Sequence, residues 1–136
     1  MIYVFDASFI GALIIPDEYS PHVKEMYGKI RNEDEKHTPQ LLWYEIASIF
    51  SNLTRQKRFT CDEVLQFFPR LSAFRLQTDS ETGAAYSQKL LRLCSDYNLS
   101  SYDAAYLELA DRKKAALCTL DIALQTAAEK NGVKVL

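Results

Sequence analysis

The sequence predicts a three-layer α/β domain with a mainly parallel central sheet. Short apolar runs rich in β-branched and aromatic residues alternate with longer segments in which apolar residues recur at helical spacing. This alternation is typical of strands that are connected by helices covering the sheet. We expect the 136 residues to form one domain, residues 1–136, because the chain has no repeat, linker or low-complexity segment.

The first predicted strand covers residues 2–6, where Ile2, Tyr3, Val4 and Phe5 precede an acid. The carboxyl ends of parallel strands line the ligand crevice of open α/β sheets, so Asp6 is a candidate site residue. Asp6 also precedes a predicted helix at 8–15, and a short carboxylate there accepts hydrogen bonds from free backbone N–H groups. Helix capping is therefore an alternative explanation for Asp6.

A long amphipathic helix is predicted at 41–57. Its apolar residues follow the i, i+4, i+7, i+11 spacing of a buried stripe, at Leu42, Ile46, Ile49 and Leu53. At roughly 100° per residue, Glu45 lies about 60° from Leu42 and therefore borders the core, where an unpaired charge is costly. The alternative is that its apolar stem follows this edge with the carboxylate in water.

Two further acids, Asp103 and Asp121, lie at predicted helix starts, and two other signals predict where helices end. Ser100 with Asp103 resembles a capping box written with Asp, which opens a helix at 101–113. The apolar run before Asp121 predicts a strand at 116–119, and helical composition follows it. Proline restricts the residue before it, so Pro69 is expected to end the fourth helix. Asn131-Gly132 is a stop signal before a last strand.

The predicted elements are these. The helices cover 8–15, 20–32, 41–57, 61–68, 80–97, 101–113 and 122–131, and the strands cover 2–6, 37–39, 74–77, 116–119 and 134–136.

Composition narrows the class of protein. A 48% apolar and 25% charged content is that of a globular protein, and no apolar run is long enough to span a bilayer. The start lacks the features of a secretory signal, and three widely spaced cysteines form neither a disulfide framework nor a zinc motif. We therefore expect a cytoplasmic protein.

Bulk charge does not indicate nucleic-acid binding, because the net charge is −2 and the pI is near 5.7. A local basic cluster, Arg55, Lys57 and Arg58, nevertheless lies at the end of the predicted 41–57 helix. These side chains are candidate phosphate contacts. The alternative is that they complement the partial negative charge of the helix C-terminus.

Four segments, taken together and in order, resemble the PIN-domain family, and within it the VapC-type toxin ribonucleases. They are Val-Phe-Asp-Ala-Ser, Leu-Leu-Trp-Tyr-Glu-Ile-Ala, Leu-Ser-Ser-Tyr-Asp-Ala-Ala-Tyr and Cys-Thr-Leu-Asp-Ile-Ala-Leu. The resemblance spans nearly the whole chain. One departure is the absence of basic residues in 122–125, where the family often carries them; this puts substrate contacts from that segment in doubt.

The resemblance implies a set of site residues. The three core metal-binding acids would be Asp6, Glu45 and Asp103, with Asp121 as the fourth and more variable acid; Ser8 and Thr119 match small hydroxyl positions that adjoin the metal. Oxygen ligands without a matching His or Cys set favour Mg²⁺ or Mn²⁺ over zinc.

The resemblance also implies a function and partners. The chain would be a metal-dependent endoribonuclease that hydrolyses RNA, held as a homodimer and bound by a small antitoxin whose tail occupies a groove near the acids. A housekeeping RNA-processing nuclease and a catalytically silent binding module of the same fold are alternatives. A phosphoacceptor receiver module is disfavoured, since it requires a pair of acids after the first strand and only Asp6 is there.

Overall fold

The computed structural model describes residues 1–136 and contains a four-stranded parallel sheet with helices packed around it. The strand order is β3-β2-β1-β4, with β1 at Ile2–Phe5, β2 at Glu35–Thr38, β3 at Gln77–Thr78 and β4 at Ala116–Cys118. The predicted three-layer α/β architecture is confirmed. The helices are α1 Ala7–Ile14, α2 Pro21–Gly28, α3 Leu41–Arg55, α4 Cys61–Leu65, α5 Phe67–Ala73, α6 Ala84–Tyr97, α7 Ser101–Lys113 and α8 Ile122–Lys130, and a 3₁₀ turn covers Pro16–Glu18.

The core is organised around β1, which pairs with β2 on one side and with β4 on the other. Phe5 is fully buried, and its ring centroid lies 5.1 Å from that of Phe9 and 6.0 Å from that of Phe74. Such tilted and edge-on aromatic contacts are favourable beyond the apolar area that they bury. Since Phe5 directly precedes Asp6, this packing determines where the first candidate acid emerges from the sheet.

Two predicted helix boundaries were wrong. The helix predicted at 20–32 ends at Gly28, and the Asp34 carboxylate accepts a hydrogen bond from the Arg31 backbone N–H at 2.8 Å, which forms a turn in place of another helical turn. The helix predicted from residue 80 begins at Ala84, because Gly83 has φ of +97°, a backbone conformation that glycine adopts readily.

Pro69 does not end a helix, so the single helix predicted at 61–68 was wrong. The segment forms α4 and α5, and Pro69 is the third residue of α5. The N–H groups of a first helical turn have no acceptor within the helix, so proline costs little there. Phe67 and Leu71 then point into the core, with 5% and 4% exposure.

The strands at 74–77 and 134–136 were also predicted with wrong bounds. Phe74 is the C-cap residue of α5, and β3 contains only Gln77 and Thr78. The C-terminal segment makes one isolated parallel bridge, between Leu117 and Val135, rather than a full strand. No helix of this chain has the length and apolar character needed to cross a membrane.

Candidate active site

Asp6 lies directly after β1 and is only 5% exposed. It caps α1, since its Oδ1 accepts hydrogen bonds from the Phe9 backbone N–H at 2.9 Å and from the Ser8 hydroxyl at 2.7 Å. Its Oδ2 accepts a hydrogen bond from the Thr119 hydroxyl. Burial raises the pKa of Asp6 above its ordinary value, the three hydrogen bonds oppose the rise, and nearby Asp103 adds to it.

Ser8 and Thr119 also tie Asp6 to the loop that follows β4. The Ser8 hydroxyl accepts a hydrogen bond from the Leu120 backbone N–H at 2.9 Å, and the Thr119 hydroxyl accepts one from the Asp121 N–H at 3.1 Å. Each hydroxyl therefore donates to the Asp6 carboxylate and accepts from the loop. The two hydroxyl residues singled out from the sequence thus contact the first acid directly.

Glu45 lies in the second turn of α3, half-buried beside the apolar stripe. Its Oε1 accepts a hydrogen bond from the Tyr106 hydroxyl at 2.8 Å. Burial is the main cause of a raised pKa at Glu45, the Tyr106 bond lowers it, and the negative charges of Asp6 and Asp103 raise it. Sequence reasoning missed Tyr106, although it stands three residues after Asp103 and therefore on the same face of α7.

Asp103 and Asp121 lie at the starts of α7 and α8. The Ser100 hydroxyl accepts from the Asp103 backbone N–H at 3.2 Å, but no return bond completes a capping box. Burial, followed by the charge of Asp121, raises the pKa of Asp103, and a hydrogen bond between the Ser100 side chain and the Asp103 carboxylate opposes the rise. Asp121 caps α8 by accepting from the Leu124 N–H at 2.8 Å.

The four acids lie at one edge of the fold. Asp103 influences the pKa values of both Asp6 and Glu45, and Asp121 influences that of Asp103. Three helices begin at this edge, those capped by Asp6, Ser100 and Asp121, and their partial positive charges favour carboxylates there. No group of three or more His, Cys, Asp or Glu side chains, however, is arranged to hold a metal ion.

The chemistry of the donor set fits a hard divalent cation, since every candidate ligand is a carboxylate oxygen. The Asp103 carboxylate has one side-chain partner within the protein, the Ser100 hydroxyl, which leaves one of its oxygens free. Glu45 uses only Oε1 and Asp121 only Oδ1 in side-chain hydrogen bonds. These three side chains therefore keep oxygen atoms that are available to a ligand.

The three basic residues at the end of α3 differ in their contacts: Arg58 is paired with acids, and Arg55 and Lys57 are not. Arg58 donates hydrogen bonds to Asp17 and Glu18, so its guanidinium is engaged with the 3₁₀ turn. Arg55 and Lys57 form no salt bridge and remain exposed.

An apolar cleft adjoins Glu45. It has a volume of about 500 Å³, and two strongly exposed aromatic residues, Tyr44 at 79% and Tyr102 at 65%, line it. Both residues are immediate sequence neighbours of candidate acids. This cleft is lined mostly by apolar and aromatic side chains and contains no basic residue.

Comparison with known proteins identifies the family. The model of the PIN domain matches residues 3–130. The chain is 30% identical over 121 residues to Ribonuclease VapC3 of Pyrobaculum aerophilum, which covers 89% of this chain and 90% of that protein. The chain therefore belongs to the PIN-domain family.

Solved structures share the fold. PAE2754 from Pyrobaculum aerophilum superimposes with a TM-score of 0.69 at 19% identity, over 96% of this chain and 95% of that one. A toxin-antitoxin complex from Klebsiella pneumoniae gives a TM-score of 0.59 at 13% identity, over 88% and 86% of the two chains.

Proposed function

We propose that this protein is a metal-dependent endoribonuclease that hydrolyses RNA phosphodiester bonds and acts as the toxin of a toxin–antitoxin pair in the cytoplasm. The observation that carries the proposal is that folding brings Asp6, Glu45, Asp103 and Asp121 to one edge of the sheet from positions spread over 115 residues of sequence. The 30% identity to a protein named as a ribonuclease supports this activity over other uses of an acidic edge.

The cofactor in this proposal is Mg²⁺ or Mn²⁺. Asp6 and Asp103 would be the main ligands, Glu45 would complete the shell or position the attacking water, and Asp121 would support a second ion or its waters. Such a cation supplies positive charge that stabilises the charge developing on a phosphate during hydrolysis. Because the carboxylates do not converge on one point, the proposal requires rotation of the Asp103 and Asp121 side chains, while Tyr106 holds Glu45.

Asp6 would be the rigid member of the set. Its two oxygens are oriented by Ser8, Phe9 and Thr119, so little conformational entropy is lost when it binds a ligand. Ser8 and Thr119 would thus position the ligand rather than contact the substrate. Asp6 accepts more hydrogen bonds than any of the other three acids, which is our reason for testing it first.

Partners follow from the same proposal. RNA phosphates would meet Arg55 and Lys57, whereas Arg58 would contribute only if it left Asp17 and Glu18. The antitoxin and a second copy of the chain are further proposed partners. Exposed apolar side chains such as Tyr44 and Phe68 suit contacts of this kind.

The test is cleavage of total tRNA and rRNA fragments by purified protein with Mg²⁺ or Mn²⁺. Asp6→Asn keeps the size of the side chain and removes its charge, so we expect activity to fall by about 100-fold or more, beyond the usual effect of outer-shell changes. Excess EDTA should abolish cleavage. Asp62→Asn is the matched control, because Asp62 is an exposed acid in the first turn of α4 that no hydrogen bond connects to the candidate site.

Cleavage that persists unchanged in Asp6→Asn would contradict the assignment of the site and would indicate a contaminating nuclease. If no form cleaves any RNA supplied, the proposed activity fails for these substrates. A nuclease with a narrow RNA target and a silent binding fold would then be the remaining alternatives.

A further inference from the structure

The Tyr106 hydroxyl is a buried polar group that contacts Glu45, one of the four candidate acids. Tyr106 is 2% exposed and belongs to the hydrophobic core, yet its hydroxyl lies 2.8 Å from Glu45 Oε1. A buried tyrosine hydroxyl is costly without a partner, so this contact is expected to persist in the native state. It joins residues that are 61 positions apart in sequence.

The bond connects two of the helices that carry candidate acids. α3 carries Glu45, and α7 carries Asp103 with Tyr106 one turn further on. No other side-chain hydrogen bond joins α3 to α7. Tyr106 therefore links the position of one acid to the helix that presents another.

The direction of this bond matters for ligand binding. The hydroxyl donates to Oε1, and Oε2 of Glu45 accepts no hydrogen bond within the protein. A glutamate side chain has several rotatable bonds, and a partly exposed one would otherwise populate several rotamers. One fixed oxygen restricts the carboxylate while the second oxygen stays available.

We propose that Tyr106 is a positioning residue whose hydroxyl holds the Glu45 carboxylate in the orientation that divalent-metal binding requires. The inference rests on the proposed function, because it assumes that Glu45 is a metal ligand. Packing alone would need only the aromatic ring, which phenylalanine also supplies. The hydroxyl is thus the group to remove.

The experiment compares Mn²⁺ affinity, measured by isothermal titration calorimetry on the full chain, in wild type and Tyr106→Phe. We expect Mn²⁺ binding to weaken by about 10-fold, the lower end of the range for groups that orient metal ligands. Tyr97→Phe is the matched control. The Tyr97 hydroxyl donates to Asn131 Oδ1 at 2.8 Å in a part-buried site, so the same group is lost away from the acids. Circular dichroism before each titration checks that the variants are folded.

A double-mutant cycle with Glu45→Gln tests whether Tyr106 acts through Glu45. In the Glu45→Gln background, adding Tyr106→Phe should leave the residual Mn²⁺ affinity unchanged. A further 10-fold loss in that background would overturn the inference, as would wild-type affinity in Tyr106→Phe.

The outcomes also separate this inference from the function on which it rests. If wild type binds no Mn²⁺, the proposed metal site is wrong and the inference falls with it. If Glu45→Gln binds Mn²⁺ as tightly as wild type, Glu45 is not a metal ligand and the inference is wrong, while the other acids keep their proposed role. If Glu45→Gln weakens binding and Tyr106→Phe does not, only the positioning role of Tyr106 is wrong. Loss of activity in Tyr106→Phe that is restored by excess Mn²⁺ would support the inference independently.

Discussion

Asp6 combines two roles that the sequence leaves as alternatives. It caps α1 through the Phe9 N–H, as its position before a helix predicts, and it also lies within electrostatic reach of Asp103 and Glu45. A carboxylate has about four acceptor positions, so capping uses only part of its capacity. A helix-capping role therefore does not argue against a ligand role.

Asp103 yields a prediction at the residue scale. Burial and the charge of Asp121 raise its pKa, and a carboxyl group whose pKa is higher in the folded than in the unfolded chain destabilises the fold once it ionises. In EDTA, Asp103→Asn should therefore raise the melting temperature by roughly a few degrees at about pH 8. The gain should shrink as the pH falls and should disappear well below about pH 4, where the carboxyl is protonated in both states.

Thermal melts monitored by circular dichroism across this pH range check the prediction. Asp62→Asn is the control, because Asp62 also lies in a first helical turn but is exposed on α4. Its charge favours the helix N-terminus, so its removal should leave stability unchanged or lower it slightly. A loss of stability in Asp103→Asn at pH 8 would mean that the favourable helix-end interaction outweighs burial and repulsion.

At the scale of elements, α7 connects the candidate site to the segment after the edge strand β3. Its first turn carries Asp103, and its last turn carries Arg112, whose guanidinium donates to Asp79 after β3 and to Glu108 in its own helix. The carboxylates of Asp79 and Glu108 are only 10% and 8% exposed. Arg112 thus neutralises two nearly buried charges at once.

Arg112→Ala should lower the free energy of unfolding by about 3 kcal/mol, because two nearly buried carboxylates lose their ion-pair partner. The free energy of unfolding of Arg112→Lys should lie between those of wild type and Arg112→Ala, since an ammonium group cannot form the same paired hydrogen bonds. Urea unfolding measures both. Arg31→Ala is the control: its salt bridge with Glu33 at 3.4 Å is fully exposed, so the change should be under about 1 kcal/mol. Equal effects of Arg112→Ala and Arg31→Ala would contradict the role given to burial.

At the scale of the whole molecule, the four clustered acids affect the stability of the fold and would also determine the affinity for a metal ion. Burial, followed by repulsion within the set of four acids, raises the pKa values of Asp6, Glu45 and Asp103, so these charges oppose folding at neutral pH. A cation that binds them would offset this repulsion. Because it would bind the native chain, it would also shift the unfolding equilibrium.

Millimolar Mn²⁺ should therefore raise the melting temperature of wild type. A free concentration about 100 times the dissociation constant corresponds to about 2.7 kcal/mol, which is several degrees for a domain of this size. The shift should disappear in excess EDTA and should be much smaller in Asp6→Asn. A wild-type melting temperature that does not respond to Mn²⁺ would contradict the metal site, whatever the RNA assays give.

Elements with strong local signals were predictable. The residues predicted for α7, 101–113, match Ser101–Lys113, because Ser100 marks its start and the helical pattern continues for three turns. Pro69 misled the prediction, since its cost depends on whether it lies in a first helical turn or in a helix interior. The sequence alone does not mark that difference, because burial of Phe67 and Leu71 determines where α5 begins.

The candidate site was predictable only in part. Asp6 and Asp121 follow strands and cap helices, so local rules locate them. The Arg58 pairing with Asp17 and the Tyr106 bond to Glu45 join residues 41 and 61 positions apart, and no local rule selects those partners.

The sequence by itself determined the alternation of strands and helices, the parallel sheet class and the positions of the acids at element ends. Backbone hydrogen bonding, capping and side-chain periodicity act over a few residues, so a linear pattern records them. Only the tertiary structure decided which acids influence one another, that Tyr106 holds Glu45 and that Arg58 is engaged elsewhere. Those outcomes depend on how helices pack across the sheet, which is a property of the whole core.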